Sequence, residues 1–406
     1  MNNIIVIGGG AAGMMASLIA AKEGKKVILI EKNEKLGKKV YITGKGRCNI
    51  TTSLEIEEIM SNIPGNSSFL YSALYTFSNH DLMNMIEDMG VKLKIERGNR
   101  VFPESDKSSD IIKAFENHLK KHDVNIMFNS EVSDIIIVNN EIKGVILNNR
   151  ELPCDSVIIA TGGMSYPLTG STGDGYKFAK KAGHTVTKIR PSLIPLTAKE
   201  EWVKKLQGLS LKNASVNVSF KNKVIFEQLG EMIFTHFGVS GPIILSASRF
   251  VVDRLPDEVK LSINLKPGLT FEQLDKRVQK DFEIYSNKMF KNSLDSLLPQ
   301  KMIPVIIELS GIHENKEVNQ ITRDERISLV KLLQNLTLTI TCTRPIKEAI
   351  VTAGGVSVKE INPSTMESKI VKGLYFAGEV IDVDGLTGGF NLQIAFSTGY
   401  CAGLNA

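Results

Sequence analysis

Asn3-Ile4-Ile5-Val6-Ile7 runs directly into Gly8-Gly9-Gly10-Ala11-Ala12-Gly13, an alanine-rich stretch continues to Lys22, and Val27 to Ile30 ends on Glu31. A β-branched run, a glycine cluster, an alanine-rich run and a second apolar run predict strand, tight turn, helix and strand. Each glycine has a physical task in such a unit. Gly8 permits the sharp turn, Gly10 lets the backbone approach a pyrophosphate, and Gly13 lets helix and strand pack closely. Ala11 and Ala12 then open a helix whose free N–H groups and positive end face the phosphates. Glu31, eighteen residues beyond Gly13, is placed to accept hydrogen bonds from ribose hydroxyls. A strand before, a helix after and an acid closing the βαβ unit together predict dinucleotide binding. The plainer alternative is a glycine turn that only packs.

Moving outward, NAD and FAD both suit this unit. After Glu31 and Lys32 come Lys35-Leu36-Gly37-Lys38-Lys39 and then Thr43-Gly44-Lys45-Gly46-Arg47-Cys48-Asn49. A second glycine-rich, basic loop suits a long, extended dinucleotide. Arg47 is read as a phosphate partner, with a solvated structural arginine as the alternative. Val132 to Val138 and Ile142 to Leu147 read as strands joined at Asn139-Asn140, and Ser156 to Ile159 reads as a buried strand emptying into Ala160-Thr161-Gly162-Gly163. Leu374-Tyr375-Phe376-Ala377-Gly378-Glu379 repeats that design, and Gly388-Gly389-Phe390-Asn391-Leu392-Gln393 opens a final helix toward Gly403. Strands that return after a long insertion imply that both chain ends build one domain. The dipole of the final helix would favour negative charge on a flavin pyrimidine by at most about 2 kcal/mol, roughly 40 mV for a two-electron couple.

Composition sets the frame for these elements. At 406 residues and 44.7 kDa the chain exceeds one compact core, so two or three domains are expected. With 42% hydrophobic residues, 23% charged residues and a mean hydropathy of −0.01, it reads as a soluble globular protein, not collagen, coiled coil or a disordered chain. The formal charge of +5 is spread along the whole length, a mild bias toward anionic ligands. Cys48, Cys154, Cys342 and Cys401 form no CxxC, so neither a zinc site nor a disulfide framework is expected, and a reducing cytoplasm fits best. Ile4 to Ala21 is uncharged, yet no Lys or Arg precedes it and four glycines interrupt it, which excludes a signal or membrane helix. No metal, membrane or nucleic-acid partner is expected, and oligomeric state is left open.

The GGGAAG fingerprint, TGKGRCN, GSTGDGY (170–176), EMIFTHFGVSGP (231–242), TAGGV (352–356) and GLYFAGEVIDVDGLTGGFNLQIAFSTG (373–399) occur in this order. In this combination the chain resembles the BaiN-like flavoprotein family, which includes aminoacetone oxidases and a bile-acid dehydro-intermediate reductase. The resemblance covers nearly the whole chain. It implies a non-covalent FAD enzyme with a two-dinucleotide-binding core. It carries the FAD role to the glycine fingerprint, Glu31, Lys38, the Gly44 to Asn49 loop, Val132 near the adenine, Ala160 to Gly162, Gly378, Glu379, and Gly389 to Gln393. Lys45 departs from the family pattern, because many relatives have a third glycine there.

Residues 191–345 read as an insertion. Val216, Val218 and Phe220, Val259 to Leu265, and Leu336 to Cys342 alternate with polar residues as half-buried antiparallel strands do, which predicts a small barrel or sandwich. Thr270 to Gln273 matches a capping box, followed by Leu274, Val278 and Phe282 at helical spacing. The fold class is therefore α/β: a Rossmann-like FAD domain (1–190 and 346–406), an inserted β-rich substrate domain (191–268 and 313–345) and a small helical subdomain (269–312).

Flavin N5 exchanges hydride, so the protein need only hold a small organic substrate over the ring and manage one proton. His236, in the turn Phe234-Thr235-His236-Phe237-Gly238, is a residue type that exchanges protons near neutrality. Its alternative is a histidine tied to backbone inside that turn. Tyr166 is a second possible proton donor, or a pocket wall. Arg97 and Arg100 face either substrate or solvent. A redox disulfide needs two close cysteines, so Cys48 reads as a packing residue beside the flavin loop. The chemistry predicted is reduction of an activated double bond with NADH or NADPH visiting transiently, since no second GxGxxG unit is evident, or oxidation of an amine or aminoketone by dioxygen. An RNA-modifying FAD protein is the alternative from another class, disfavoured by dispersed basic residues. A flavin redox sensor without turnover is the third.

Overall fold

The computed structural model describes residues 3–406 in two units, the first running through Ser192 and resuming from Pro345 to Ala406, the second spanning Leu193–Arg344. A five-stranded parallel sheet forms the centre of the first unit. Its strands lie in the order Leu374–Phe376, Ser156–Ile159, Asn3–Ile7, Lys26–Ile30, Asn125–Met127. The register sets Ile4 beside Val27, Val6 beside Ile158, and Ile158 beside Tyr375. Because helices cover a parallel sheet on both faces, its strands are apolar without alternation: Ile4, Ile5, Val6, Val157, Ile158 and Ile159 are all buried.

The helix Ala11–Lys22 is buried from Ala11 through Ala20, which explains why no charge appears in it before Lys22. It packs on the last helix, Phe390–Asn405. A Cβ on Gly399 would stand 2.5 Å from the Ala12 carbonyl oxygen, and one on Gly403 would stand 2.3 Å from that of Ala16. The two ends of the chain thus meet backbone to backbone, and only glycine fits. Among the described residues no helix is long and apolar enough to cross a membrane. A small antiparallel sheet joins Val132–Val138, Glu141–Leu147 and Arg150–Pro153, and its first hairpin turns at Asn139 and Asn140, both with positive φ.

The second unit is a closed six-stranded barrel of Leu196–Ala198, Gly238–Ser240, Lys223–Phe234, Ser210–Phe220, Val259–Asn264 and Leu336–Thr343. Val216, Val218, Leu261, Ile263, Leu336, Leu338 and Ile340 fill its interior. The helix Phe271–Ile284 starts at the Thr270–Gln273 capping box, with both reciprocal hydrogen bonds formed. Two helices fall where β structure is expected. Pro242–Val251 begins with proline in its first turn, and Arg323–Gln334 begins at a second capping box, Thr322 with Glu325. Leu329, Val330 and Leu333 bury the apolar face of the latter, so residues 313–345 are helix followed by strand.

Candidate functional site

The first strand ends at Gly8, whose φ of +104° and whose approach to the Ala160 carbonyl leave no room for a side chain. A Cβ on Gly13 would lie 1.8 Å from the Gly8 carbonyl oxygen, so helix and turn touch. Gly10 differs: nothing lies within 4 Å of the place its Cβ would take. Gly10 is the N-cap of the helix, no side chain caps it, and no acid stands in its first turn although Ala11, Ala12 and Gly13 are buried. A buried helix end without a protein partner for its N–H groups calls for a ligand acceptor, and the positive end of the dipole calls for an anion.

Glu31 is buried at the end of the second strand. Its Oε2 accepts the Gly9 N–H at 2.7 Å, and its Oε1 accepts the backbone N–H and side-chain amide of Asn33 at 2.8 and 2.6 Å. Oε2 keeps a lone pair for a further donor, whereas Oε1 already accepts two bonds. Lys32 donates to Thr172 Oγ1 at 2.5 Å and Asp174 Oδ2 at 2.7 Å, while Lys38 donates to Asn33 Oδ1 at 3.2 Å.

At the carboxyl end of Ser156–Ile159, Ala160, Thr161 and Gly162 lead into a loop, and the Thr161 hydroxyl is buried without a partner. Glu379, beyond the adjacent strand Leu374–Phe376, accepts from Lys39 Nζ at 2.6 Å through Oε2. Through Oε1 it accepts from Ser165 Oγ at 2.9 Å and the Thr352 N–H at 2.7 Å. Lys39 also donates to Ser165 Oγ at 2.7 Å. The N–H of Gly378 is held by Thr398 of the last helix at 2.9 Å. Tyr166 follows with a φ of 51°, and burial raises the pKa of its phenol.

The Thr43–Asn49 loop has positive φ at Gly44, Lys45, Gly46 and Cys48, with Arg47 right-handed between them. Its Asn49 amide, in the orientation that satisfies its neighbours, accepts from the Gly389 N–H at 3.0 Å and donates to the carbonyls of Thr51 and Val101. The loop is thereby fastened to the N-cap of the last helix, where again no side chain caps the N–H groups. Asn391 folds back onto Gly385, Phe390 is buried and Leu392 is half-buried.

Several expected contacts need correction. The Arg47 guanidinium is held by Glu96 and Asp106 and lies 4.2 Å over the Phe102 ring, so it braces the loop from outside and is no free phosphate partner. Gln393 is fully buried, accepting from Thr51 Oγ1 at 2.6 Å and donating to Ser397 Oγ at 2.9 Å, which ties strand to helix inside the core. The Cys48 side chain is likewise buried, and burial pushes its pKa up to about 12, so it packs as an inert thiol. Val132 is buried opposite Leu147. His236 is exposed on the turn between Lys223–Phe234 and Gly238–Ser240, edge-on to Phe237, and belongs to the second unit. Arg100 donates to the Arg97 carbonyl. Lys39, Ser165 and Thr352 are site residues that sequence reading passed over. Lys39 and Glu379 are 340 positions apart, and no local motif announces the pair.

These donors fit FAD. The Gly8–Gly13 turn would hold its diphosphate, Glu31 its adenosine ribose, and the edge from Ala160 to Gly162 with Glu379 and the last helix its remainder. The family described as HI0933-like protein Rossmann domain matches residues 2–405. The chain is 32% identical to the 3-dehydro-bile acid delta(4,6)-reductase of Clostridium scindens, over 99% of this chain and 98% of that protein. It is also 32% identical to the ribosomal RNA dihydrouridine synthase of Haemophilus influenzae, over 99% of this chain and 97% of that one. Among solved structures, a 3-ketosteroid-Δ4-(5α)-dehydrogenase from Rhodococcus jostii RHA1 shares the fold, with a TM-score of 0.53 at 13% identity over 100% of this chain and 96% of that one. The chain belongs to the HI0933-like family with its Rossmann domain, a family of flavoprotein oxidoreductases.

Proposed function

We propose that this chain is an FAD-dependent reductase of a carbon–carbon double bond conjugated to a carbonyl, acting on a small organic molecule with NADH or NADPH as transient donor. The observation that carries the cofactor part of the reading is the buried first-helix N-terminus, capped by no side chain and open at Gly10. FAD, when bound, supplies N5 as the atom that takes up and delivers hydride. The chain's own part is to fix the dinucleotide through Gly8 to Gly13 and Glu31 and to exclude competing geometry through the anchored 160–166 loop. Tyr166, a phenol protonated at neutral pH whose pKa burial raises further, is the proposed proton-exchanging side chain.

The names of the two curated relatives support reduction over oxidation. One is a reductase of a 3-oxo compound unsaturated at positions 4 and 6, the other makes dihydrouridine. In both, the double bond that becomes saturated is conjugated to a carbonyl. The test is anaerobic: the purified flavoprotein is mixed with NADH or NADPH, and re-oxidation by conjugated ketones is followed. Bleaching by nicotinamide and recovery on adding the conjugated ketone is expected. Bleaching by an aminoketone alone, with peroxide on aeration, would overturn the reading in favour of an oxidase.

The dihydrouridine-forming relative favours a second reading, in which the conjugated system is a uracil of ribosomal RNA. Nucleoside mass spectrometry of ribosomal RNA, from cells with and without the gene, separates the two. Loss of dihydrouridine on deletion selects RNA; an unchanged RNA digest selects the small molecule.

A further inference from the structure

Four segments far apart in sequence converge on the Glu379 carboxylate: Lys39 from the short helix Lys38–Ile42, Ser165 from the loop after Ser156–Ile159, Thr352 from the strand Val351–Ala353, and Glu379 itself after Leu374–Phe376. All of these lie in the first unit. Ser165 and Thr352 are fully buried, and the side chains of Lys39 and Glu379 are about four-fifths buried at 22% and 18% exposure. The bonds close on one another. Lys39 donates to both Ser165 and Glu379, Ser165 donates to Glu379, and the Thr352 hydroxyl accepts the N–H groups of Met164 at 2.8 Å and Ser165 at 3.0 Å. Lys39 is the cation of this cluster. A carboxylate this buried is costly unless paired, and at this depth Coulomb interactions reach further than in water.

The cluster stands at the carboxyl edge of the parallel sheet, where a doubly wound fold binds its dinucleotide. A Cβ on Gly163 would lie 3.2 Å from Glu379 Oε1, so the carboxylate is directly against the glycine turn of that edge. We propose that Lys39 is a positioning residue of the cofactor site, whose ammonium fixes the Glu379 carboxylate and cancels its charge, thereby setting how strongly the site prefers reduced over oxidised flavin. The inference rests on the flavin reading above. Reduction adds negative charge to the flavin, so a compensated carboxylate costs the reduced form little, whereas an uncompensated one repels it. Packing alone predicts no such preference, because it acts equally on both redox states.

The experiment uses the full-length flavoprotein in four forms: wild type, Lys39→Met, Lys39→Arg and the double variant Lys39→Met/Glu379→Gln. The midpoint potential of the bound flavin is measured by equilibration with reference dyes, and flavin content by absorbance. In Lys39→Met the preference for reduced over oxidised flavin is expected to fall about tenfold, which is about 30 mV lower for a two-electron couple. Lys39→Arg and the double variant are expected within about threefold of wild type, since one keeps the cation and the other removes the charge it balances. A wild-type potential in Lys39→Met, or a double variant as low as the single one, overturns the inference. If Lys39→Met holds no flavin, restored flavin in the double variant supports charge compensation, and failure of both while Lys39→Arg binds overturns it. A wild-type protein that binds no flavin overturns the underlying reading instead.

Discussion

Gly10 and Gly13 stand three residues apart in one turn and have opposite tasks, which a pair of alanine substitutions separates. At Gly13 the added Cβ meets the Gly8 carbonyl oxygen, and neither backbone can yield without opening the strand–helix joint. Alanine ordinarily favours a helix interior over glycine by about 1 kcal/mol, but overpacking costs about 1–3 kcal/mol or more, so Gly13→Ala is expected to lower the urea midpoint of the flavin-free protein. At Gly10 the added methyl meets nothing. Gly10→Ala is expected to leave that midpoint within about 0.5 kcal/mol while weakening flavin binding at least tenfold, since it fills the space a diphosphate needs. Equal effects at both positions would refute the division of roles. The turn at Gly8 and the close packing at Gly13 were legible in the sequence because the backbone enforces them within a few residues. Lys39 and Arg47 were not legible, because their partners come from segments 340, 49 and 59 positions away and a basic loop reads the same whether it meets phosphate or carboxylate.

His184 gives a residue-scale prediction about pH. Its Nε2 lies 2.7 Å from Ser368 Oγ, which already accepts the N–H groups of Ile370 at 3.0 Å and Val371 at 2.9 Å, so the hydroxyl proton points to an unprotonated Nε2. Burial lowers the His184 pKa below its usual 6.5, opposed by Glu360, whose Oε2 is 3.3 Å from Nδ1. In the window below pH 6.5 the unfolded chain binds the proton that the folded one refuses, so folding stability falls as pH falls from about 6.5 toward the depressed value. His184→Gln is expected to flatten the slope of urea midpoint against pH between about 6.5 and 5, compared with wild type. An unchanged slope would count against this account.

At the scale of elements, what was legible followed from strictly local rules. The Asn139-Asn140 hairpin, the alternating barrel strands and the Thr270 capping box all needed only neighbours in sequence. The helix Arg323–Gln334 begins at the same kind of box, Thr322 with Glu325, but the strongly alternating strand Leu336–Thr343 follows at once and its β pattern dominates the local sequence. That cap predicts its own energetics. The Thr322 hydroxyl accepts the Glu325 N–H at 3.2 Å, and the Glu325 carboxylate accepts the Thr322 N–H at 2.7 Å. Thr322→Ala is expected to destabilise the second unit by about 1 kcal/mol, and Thr322→Asn to restore most of it. Chemical denaturation of the three proteins checks this; an alanine variant as stable as wild type would show that tertiary packing alone holds the helix.

For the whole molecule, the two units differ in how the chain builds them. The first assembles from both ends: its parallel sheet needs Leu374–Phe376 beside Ser156–Ile159, and its first helix needs Gly399 and Gly403 of the last helix against Ala12 and Ala16. The second is one continuous stretch, Leu193–Arg344, with a closed barrel and a core of its own. A closed barrel has no unpaired edge, and a separate core is what independent folding requires. Residues 193–344 expressed alone are therefore expected to unfold cooperatively and to be colourless. Residues 1–192 alone are expected neither to fold nor to bind flavin, because they expose one face of the first helix and leave Ser156–Ile159 as a raw sheet edge. Adding residues 345–406 through a short linker in place of the barrel restores both the missing strand and the last helix, and flavin binding is expected to return with them. Circular dichroism melts and flavin absorbance read all three outcomes. A yellow, folded 1–192 fragment would show that the carboxyl-terminal strand and helix contribute nothing to the site, and the convergence of both chain ends on one cofactor would lose its physical basis.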